Sequence, residues 1–281
     1  MLGIVLLFAG TGTTEATKIA TIWSAAPAGV YASGSTFKVA SPVHSPSEFL
    51  GVSSDSKVRF DLLPDFVRVS RMKNSRKLWQ RKCADAVLLR DKLYCLYKND
   101  LVTYNIKGRV EMRKNLTRSA IEWTYLDPNL RYAAGFRKYP SKPDSWPLFL
   151  LDLRTLRVIQ LPLTYDLGGL ADISIVSSET LTVLIDSWRT YLLRDERLYS
   201  PAWLQRQIKE FEYYPLDVVT VEGRIYLMQG KIGTQLSQVV EADTGQVIAE
   251  SSSGRDEFVK GTNDQVLFYG FDGKQVIVYS R

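Results

Sequence analysis

Apolar positions in this chain come in short runs, mostly β-branched or aromatic, that alternate with polar residues and stop at turn-forming residues. Alternation of this kind puts one face of a strand in a core and the other in water. The plan is clearest over 216–221, 224–228, 237–242 and 246–249, with turns at Glu222-Gly223 and Asp243-Thr244-Gly245. Groups of four such runs recur roughly every 40 residues. They are 84–89, 92–97, 101–105 and 109–112; then 121–126, 131–136, 148–153 and 158–163; and, least regularly, 172–176, 181–185, 190–193 and a run near Leu198. Four short antiparallel strands at this period predict the blades of a β-propeller.

The last group supplies only three strands, 257–261, 265–269 and 274–279. A blade left open exposes an unpaired edge, and 18–23 is the run expected to close it. A looser blade is expected from 29–32, 37–40, 66–71 and 77–80, with 41–56 read as a polar loop. The expected fold class is therefore all-β, a six-bladed β-propeller closed by an N-terminal strand, with five or seven blades also compatible. Another insertion, 139–147, is held by Pro140, Pro143 and Pro147. The helical pattern over 201–213 sets Trp203, Leu204, Ile208 and Phe211 roughly on one face and reads as cover for a blade edge.

A length of 281 residues suits one all-β domain, and the 45% hydrophobic content is enough to fill the spaces between blades. Residues 2–10 have the length of a secretory apolar region, and Thr14-Glu15-Ala16 ends in a small residue suited to cleavage, although no basic residue precedes the run. The run is too short to span a bilayer. The division that follows is a signal peptide over 1–16 and a single domain over 17–281, secreted or periplasmic. The competing reading makes 4–8 the closing strand. Asn115-Leu116-Thr117 is a glycosylation acceptor pattern that matters only in a eukaryotic secretory pathway.

Cys83 and Cys95 lie near one hairpin. Pairing across an Arg90-Asp91 turn puts Cys95 opposite Ala86 and leaves Cys83 roughly 10 Å away along an extended strand. A disulfide needs Cα atoms within about 7 Å. The expectation is two unpaired, buried thiols.

The net charge of +6 and pI near 9.1 draw the chain weakly to polyanions without implying a specific nucleic-acid partner. The dense basic stretch, 68–82, alternates as a solvated outer hairpin would, whereas a phosphate-binding stripe there would lose affinity steeply with salt. His44 is the only histidine, which excludes multi-histidine metal sites and paired imidazoles. It stands in a proline-flanked loop, Pro42-Val43-His44-Ser45-Pro46, and reads as an exposed loop residue. No phosphate-cradling glycine loop is present, and Gly168-Gly169 reads as a turn between blades.

One pattern stands out. The first strand of each group opens with an acid, Asp85, Glu122, Asp172, Asp217 and Glu257. First strands line a propeller's central channel, so these five form the candidate ligand-binding set. Clustered carboxylates call for a cation, a cationic ligand or a raised pKa, and calcium accepts several carboxylate oxygens. The alternative is that each acid accepts hydrogen bonds from backbone amides or is hydrated.

The run 239–248, Val-Val-Glu-Ala-Asp-Thr-Gly-Gln-Val-Ile, resembles the end of a repeat in the PQQ-like (quinoprotein-type) propellers, where an Asp-x-x-Thr-Gly turn joins the outer two strands. Residues 104–110 and 151–158 are weaker relatives. The resemblance implies a propeller fold, and it places a quinone cofactor on no residue here. No catalytic constellation is legible, so no cofactor is expected, with calcium the one candidate. Two classes follow: a non-catalytic extracytoplasmic scaffold that binds another protein or a surface ligand, and a metal-dependent hydrolase or lactonase-like enzyme using the channel carboxylates.

Overall fold

A computed structural model describes residues 17–23, 27–33, 36–40, 48–117, 120–137, 146–165, 173–186, 188–210, 212–251, 256–259, 265–271 and 275–280. The proposed signal peptide, His44, Asp172 and Gly168-Gly169 lie outside them. In chain order, β1 (Thr17–Trp23) is followed by a two-stranded hairpin of β2 (Gly29–Ser33) and β3 (Thr36–Ala40). Consecutive four-stranded sheets then follow. The first holds β4 (Glu48–Val52), β5 (Val58–Leu63), β6 (Phe66–Arg71) and β7 (Lys77–Lys82). The second holds β8 (Asp85–Leu89), β9 (Lys92–Tyr97), β10 (Asp100–Asn105) and β11 (Val110–Asn115). The third is β12 (Ile121–Leu126), β13 (Tyr132–Arg137), β14 (Trp146–Asp152) and β15 (Val158–Tyr165). The fourth is β16 (Ser174–Ser177), β17 (Leu181–Ile185), β18 (Thr190–Arg194) and β19 (Arg197–Tyr199). After the helix α1 (Ala202–Glu210) come β20 (Tyr213–Val221), β21 (Arg224–Lys231), β22 (Ser237–Glu241) and β23 (Val247–Ser251). The last sheet, β24 (Asp256–Phe258), β25 (Leu267–Phe271) and β26 (Gln275–Ser280), takes β1 as its outer strand. The fold is an all-β, six-bladed β-propeller.

The expected closure is present in register: Thr17 pairs with Ser280, Ile22 with Val276 and Trp23 with Gln275. The looser blade is corrected. Its sheet is β4 to β7, and 29–32 and 37–40 instead form the separate β2–β3 hairpin. Two things hid β4 and β5. β4 sits inside the stretch read as a polar loop, and β5 carries Arg59 and Asp61 where an apolar pair is expected. These two are buried against each other, with Arg59 Nη2 2.6 Å from Asp61 Oδ1. Arg59 also lies 5.2 Å over the Phe49 ring.

The chain forms two compact units, one of 43–177 with 196–198 and one of 1–42, 178–195 and 199–281. In the first, alternate residues of the second and third sheets meet in a core that includes Leu96, Leu101, Trp123, Ala133 and Leu151. Trp123 donates its Nε1–H to the Leu116 carbonyl (2.9 Å), so its one polar atom is satisfied in the core. In the second unit, Tyr226, Met228, Val239, Ile248, Phe258 and Phe268 fill the space between the β20–β23 sheet and the closing sheet. Val30, Phe37 and Val39 of the hairpin pack with Leu267, Tyr269 and Val278 of the closing sheet.

The thiol expectation is also corrected. Cys83 and Cys95 form a disulfide with Cα atoms 5.5 Å apart, and both are fully buried. The extended-strand estimate failed because the chain bends at Ala84. The Cys83 N–H turns to the Asp65 carbonyl (3.0 Å) while the Ala84 N–H reaches Leu96 (2.7 Å), folding Cys83 back over the hairpin.

Helix α1 covers its sheet with less of its surface than the apolar pattern suggests. Leu204 is buried, Ile208 is 60% exposed, and Phe211 lies outside the described residues. Polar contacts add to the buried Leu204: the Gln207 and Gln229 side-chain amides exchange hydrogen bonds (3.0 and 2.9 Å), and Gln238 donates to Gln229 Oε1 (3.0 Å).

Candidate functional site

Asp85 opens β8, where strand alternation turns its side chain toward the next sheet of its unit. The Ala86 N–H donates to Oδ1 (2.7 Å) and the Leu126 N–H, on β12, donates to Oδ2 (2.6 Å). Asp217, in β20, repeats the arrangement: Val218 N–H donates to Oδ1 (2.8 Å) and Phe258 N–H, on β24, donates to Oδ2 (3.0 Å). In each case a first-strand carboxylate takes its own neighbour's amide with one oxygen and the next first strand's amide with the other.

Asp127, just past β12, makes the same kind of link to β16. Its Oδ1 accepts from Asn129 N–H (3.0 Å) and Ser177 N–H (3.1 Å), and its Oδ2 accepts from Arg131 N–H (3.1 Å) and the Ser177 hydroxyl. The sequence pattern missed this residue because Asp127 follows its strand instead of opening it. The turn residue Pro128 beside it is the available signal.

Burial is the dominant electrostatic influence on these links. It raises Asp85 from the ordinary carboxylate range to about 7, with the nearby charge of Glu48 adding to the rise and the two amide donors opposing it. Asp127 is raised for the same first reason, against the pull of its hydroxyl and amide donors. Among the described residues, no Lys or Arg is paired with either.

The other proposed acids are placed differently. Glu122, second residue of β12, is exposed, as is Glu257 in β24, which accepts a hydrogen bond from the Tyr269 hydroxyl (2.7 Å). Asp85 and Glu122 belong to one compact unit, Asp217 and Glu257 to the other. Among the described residues, no group of three or more His, Cys, Asp or Glu side chains is close enough to hold a metal ion.

A different kind of surface occurs in the second unit. Trp188, in the β17–β18 turn, is 63% exposed, and its ring centroid lies 6.3 Å from that of Tyr214. The hydroxyl end of the Tyr214 ring lies over Gly230, where a Cβ would come within 2.7 Å of it. The adjoining β21–β22 turn, tied down by Ile232 N–H to the Glu212 carbonyl (2.9 Å), carries the exposed Ile232 and Leu236. No motif marks these residues in the sequence, because they come from two separate turns and the start of β20.

No protein-family profile matches the chain, and no curated protein sequence does. Its fold is similar to that of solved propellers. The β-propeller domain of Cps50 (Swd1) from Myceliophteria thermophila matches with a TM-score of 0.54 at 11% identity, over 95% of this chain and 99% of that one. The crystal structure of BamB from Moraxella catarrhalis matches with a TM-score of 0.41 at 11% identity, over 95% of this chain and 100% of that one. The class is thus the β-propeller fold, and at such identity the likeness speaks to fold alone.

Proposed function

We propose that the chain is a non-catalytic, extracytoplasmic β-propeller scaffold that binds another protein. The observation that carries this reading is the exposed Trp188, Ile232 and Leu236 together with the half-buried Tyr214, apolar and aromatic side chains that two turns and the start of β20 present on an ordered framework. Trp and Tyr are the residues that dominate protein-binding energy, and clustered exposed apolar surface marks interaction sites. The engagement of Asp85 and Asp217 with backbone amides supports the same side, since a hydrolase would need those oxygens for a cation. The Cys83–Cys95 disulfide supports export, because such bonds persist in oxidising compartments.

Calcium titration with a lactone and ester hydrolysis assay tests the choice. The scaffold reading expects no change in Tm with calcium and no turnover. A calcium-induced rise in Tm that Asp217→Asn removes, with hydrolysis, would establish the enzyme instead. A photo-crosslinker replacing Trp188 in the native cell should trap a discrete protein, while one replacing the exposed Lys57 should not.

A further inference from the structure

We propose that the outer edge of the β4–β7 sheet, centred on Gln80 and Lys82 of β7, is a docking site where an extended acidic segment of a partner protein adds as a further strand. β7 is the last strand of its sheet, and apart from the half-buried Trp79 every residue in it is exposed.

The backbone is set for addition. Cys83 N–H donates to the Asp65 carbonyl on the β6 side. In an antiparallel pair alternate residues face the partner, so Arg81 faces β6, and the N–H and C=O of Gln80 and the N–H of Lys82 face outward, while the Lys82 carbonyl lies against the buried Cys95 Sγ (3.2 Å). The Gln80 carbonyl indeed accepts from the Nη1 of Arg81's own side chain (2.8 Å), a removable cap. Leu78, at the irregularity in the β6–β7 pairing, is 39% exposed beside this row.

The charge selects the partner. Residues 66–84 contain seven Lys and Arg and no Asp or Glu. Lys77 and Lys82 have no carboxylate within ion-pair distance among the described residues. The next sheet adds cations at its outer turn: Trp79 Nε1–H donates to Ile106 (2.8 Å) and Arg81 Nη2 to Gly108 (3.2 Å), which sets Lys107 and Arg109 alongside. A cationic edge repels a second copy of itself, as edge strands commonly do to avoid self-pairing, and admits an acidic strand. A nucleic acid or an anionic membrane would answer the charge but would leave the outward N–H groups of Gln80 and Lys82 and the Gln80 carbonyl without strand-spaced partners.

The probe is a short fluorescent peptide alternating glutamate and valine, titrated against the full chain by anisotropy. Saturable binding is expected, weakened at least about tenfold by Lys77→Glu with Lys82→Glu. Gln80→Pro removes one outward N–H while leaving the pairs to β6, and should abolish binding. Should that variant misfold, N-methylating alternate residues of the peptide serves instead: one set of methyl groups blocks addition and the other spares it. Binding insensitive to these backbone changes, tighter binding to a single-stranded oligonucleotide or to phosphatidylserine vesicles than to the peptide, or no peptide binding overturns the proposal. The inference rests on the scaffold reading. Calcium-dependent hydrolysis would unseat that reading, whereas absent peptide binding without hydrolysis unseats the docking site alone.

Discussion

A carboxylate that opens a strand and reaches across to the next first strand is a fastener whose charge works against it. Asp85 holds two amides but is half-buried, and desolvation raises its folded-state pKa from 3.8 to about 7. The folded state therefore keeps a proton that the unfolded chain releases, and Asp85 favours folding least at high pH. Stability should fall as pH rises from about 4 to about 7, by at most about 1.4 kcal/mol per pH unit from this group. Asp85→Asn should flatten that slope in urea melts. At pH 7 it should also cost about 1–3 kcal/mol, since one side-chain amide N–H now faces a backbone N–H. Cys83 and Cys95 carry a second prediction: the denatured chain should show no thiol to Ellman's reagent until reduced, and replacing both with serine should cost about 3 kcal/mol. The recurrence of Asp85 and Asp217 near the start of each apolar run was legible, although β20 begins at Tyr213 and holds Asp217 mid-strand, but their task was not. A sequence shows that an acid recurs and does not show which amide it meets. The same limit hid the disulfide, where one bend at Ala84 undid a distance argument that was sound for an extended strand.

Among elements, those with clean alternation were legible and those that bury charge were not. β20 to β23 followed their pattern, while β5 was masked by Arg59 and Asp61, which neutralise each other inside the sheet. The turns show why the plan repeats. Arg90-Asp91, Lys98-Asn99, Asp195-Glu196 and Glu222-Gly223 all have positive φ at both positions, matching the twist of tight hairpins without needing glycine at each. The turns between third and fourth strands share another form. Gly108, Leu156 and Gly245 take positive φ and donate N–H to the carbonyls of Asn105, Asp152 and Glu241, each at 2.8 Å. The turns at Leu156 and Gly245 reach four residues back and share one geometry, while that at Gly108 reaches three and is one residue shorter, so 151–158 and 239–248 end alike and 104–110 is a tightened version. Gly245 has a further role, because a Cβ there would lie 2.2 Å from Trp203 Cγ of α1. Gly245→Ala should therefore destabilise by well over the roughly 1–2 kcal/mol of backbone strain and alter Trp203 fluorescence. Gly223→Ala, with similar φ and open space, isolates the strain alone.

For the molecule as a whole, the missing fourth strand of the last sheet was the most productive sequence observation, since a strand deficit at one end and a spare strand at the other have one economical solution. Deleting residues 1–24 should abolish cooperative unfolding by calorimetry, because β26 would lose its outer partner and Val278 part of its cover, while a chain starting at Thr17 should melt like the full one. The pairing of Thr17 with Ser280 has a topological consequence. The β1–β26 pair is a hairpin that lacks only its covalent turn, so a short glycine-rich linker between these two residues can close the chain. New ends can then be cut at the exposed Glu222-Gly223 tip. Such a circular permutant should fold with every native strand pairing retained, its order of synthesis changed and its architecture intact.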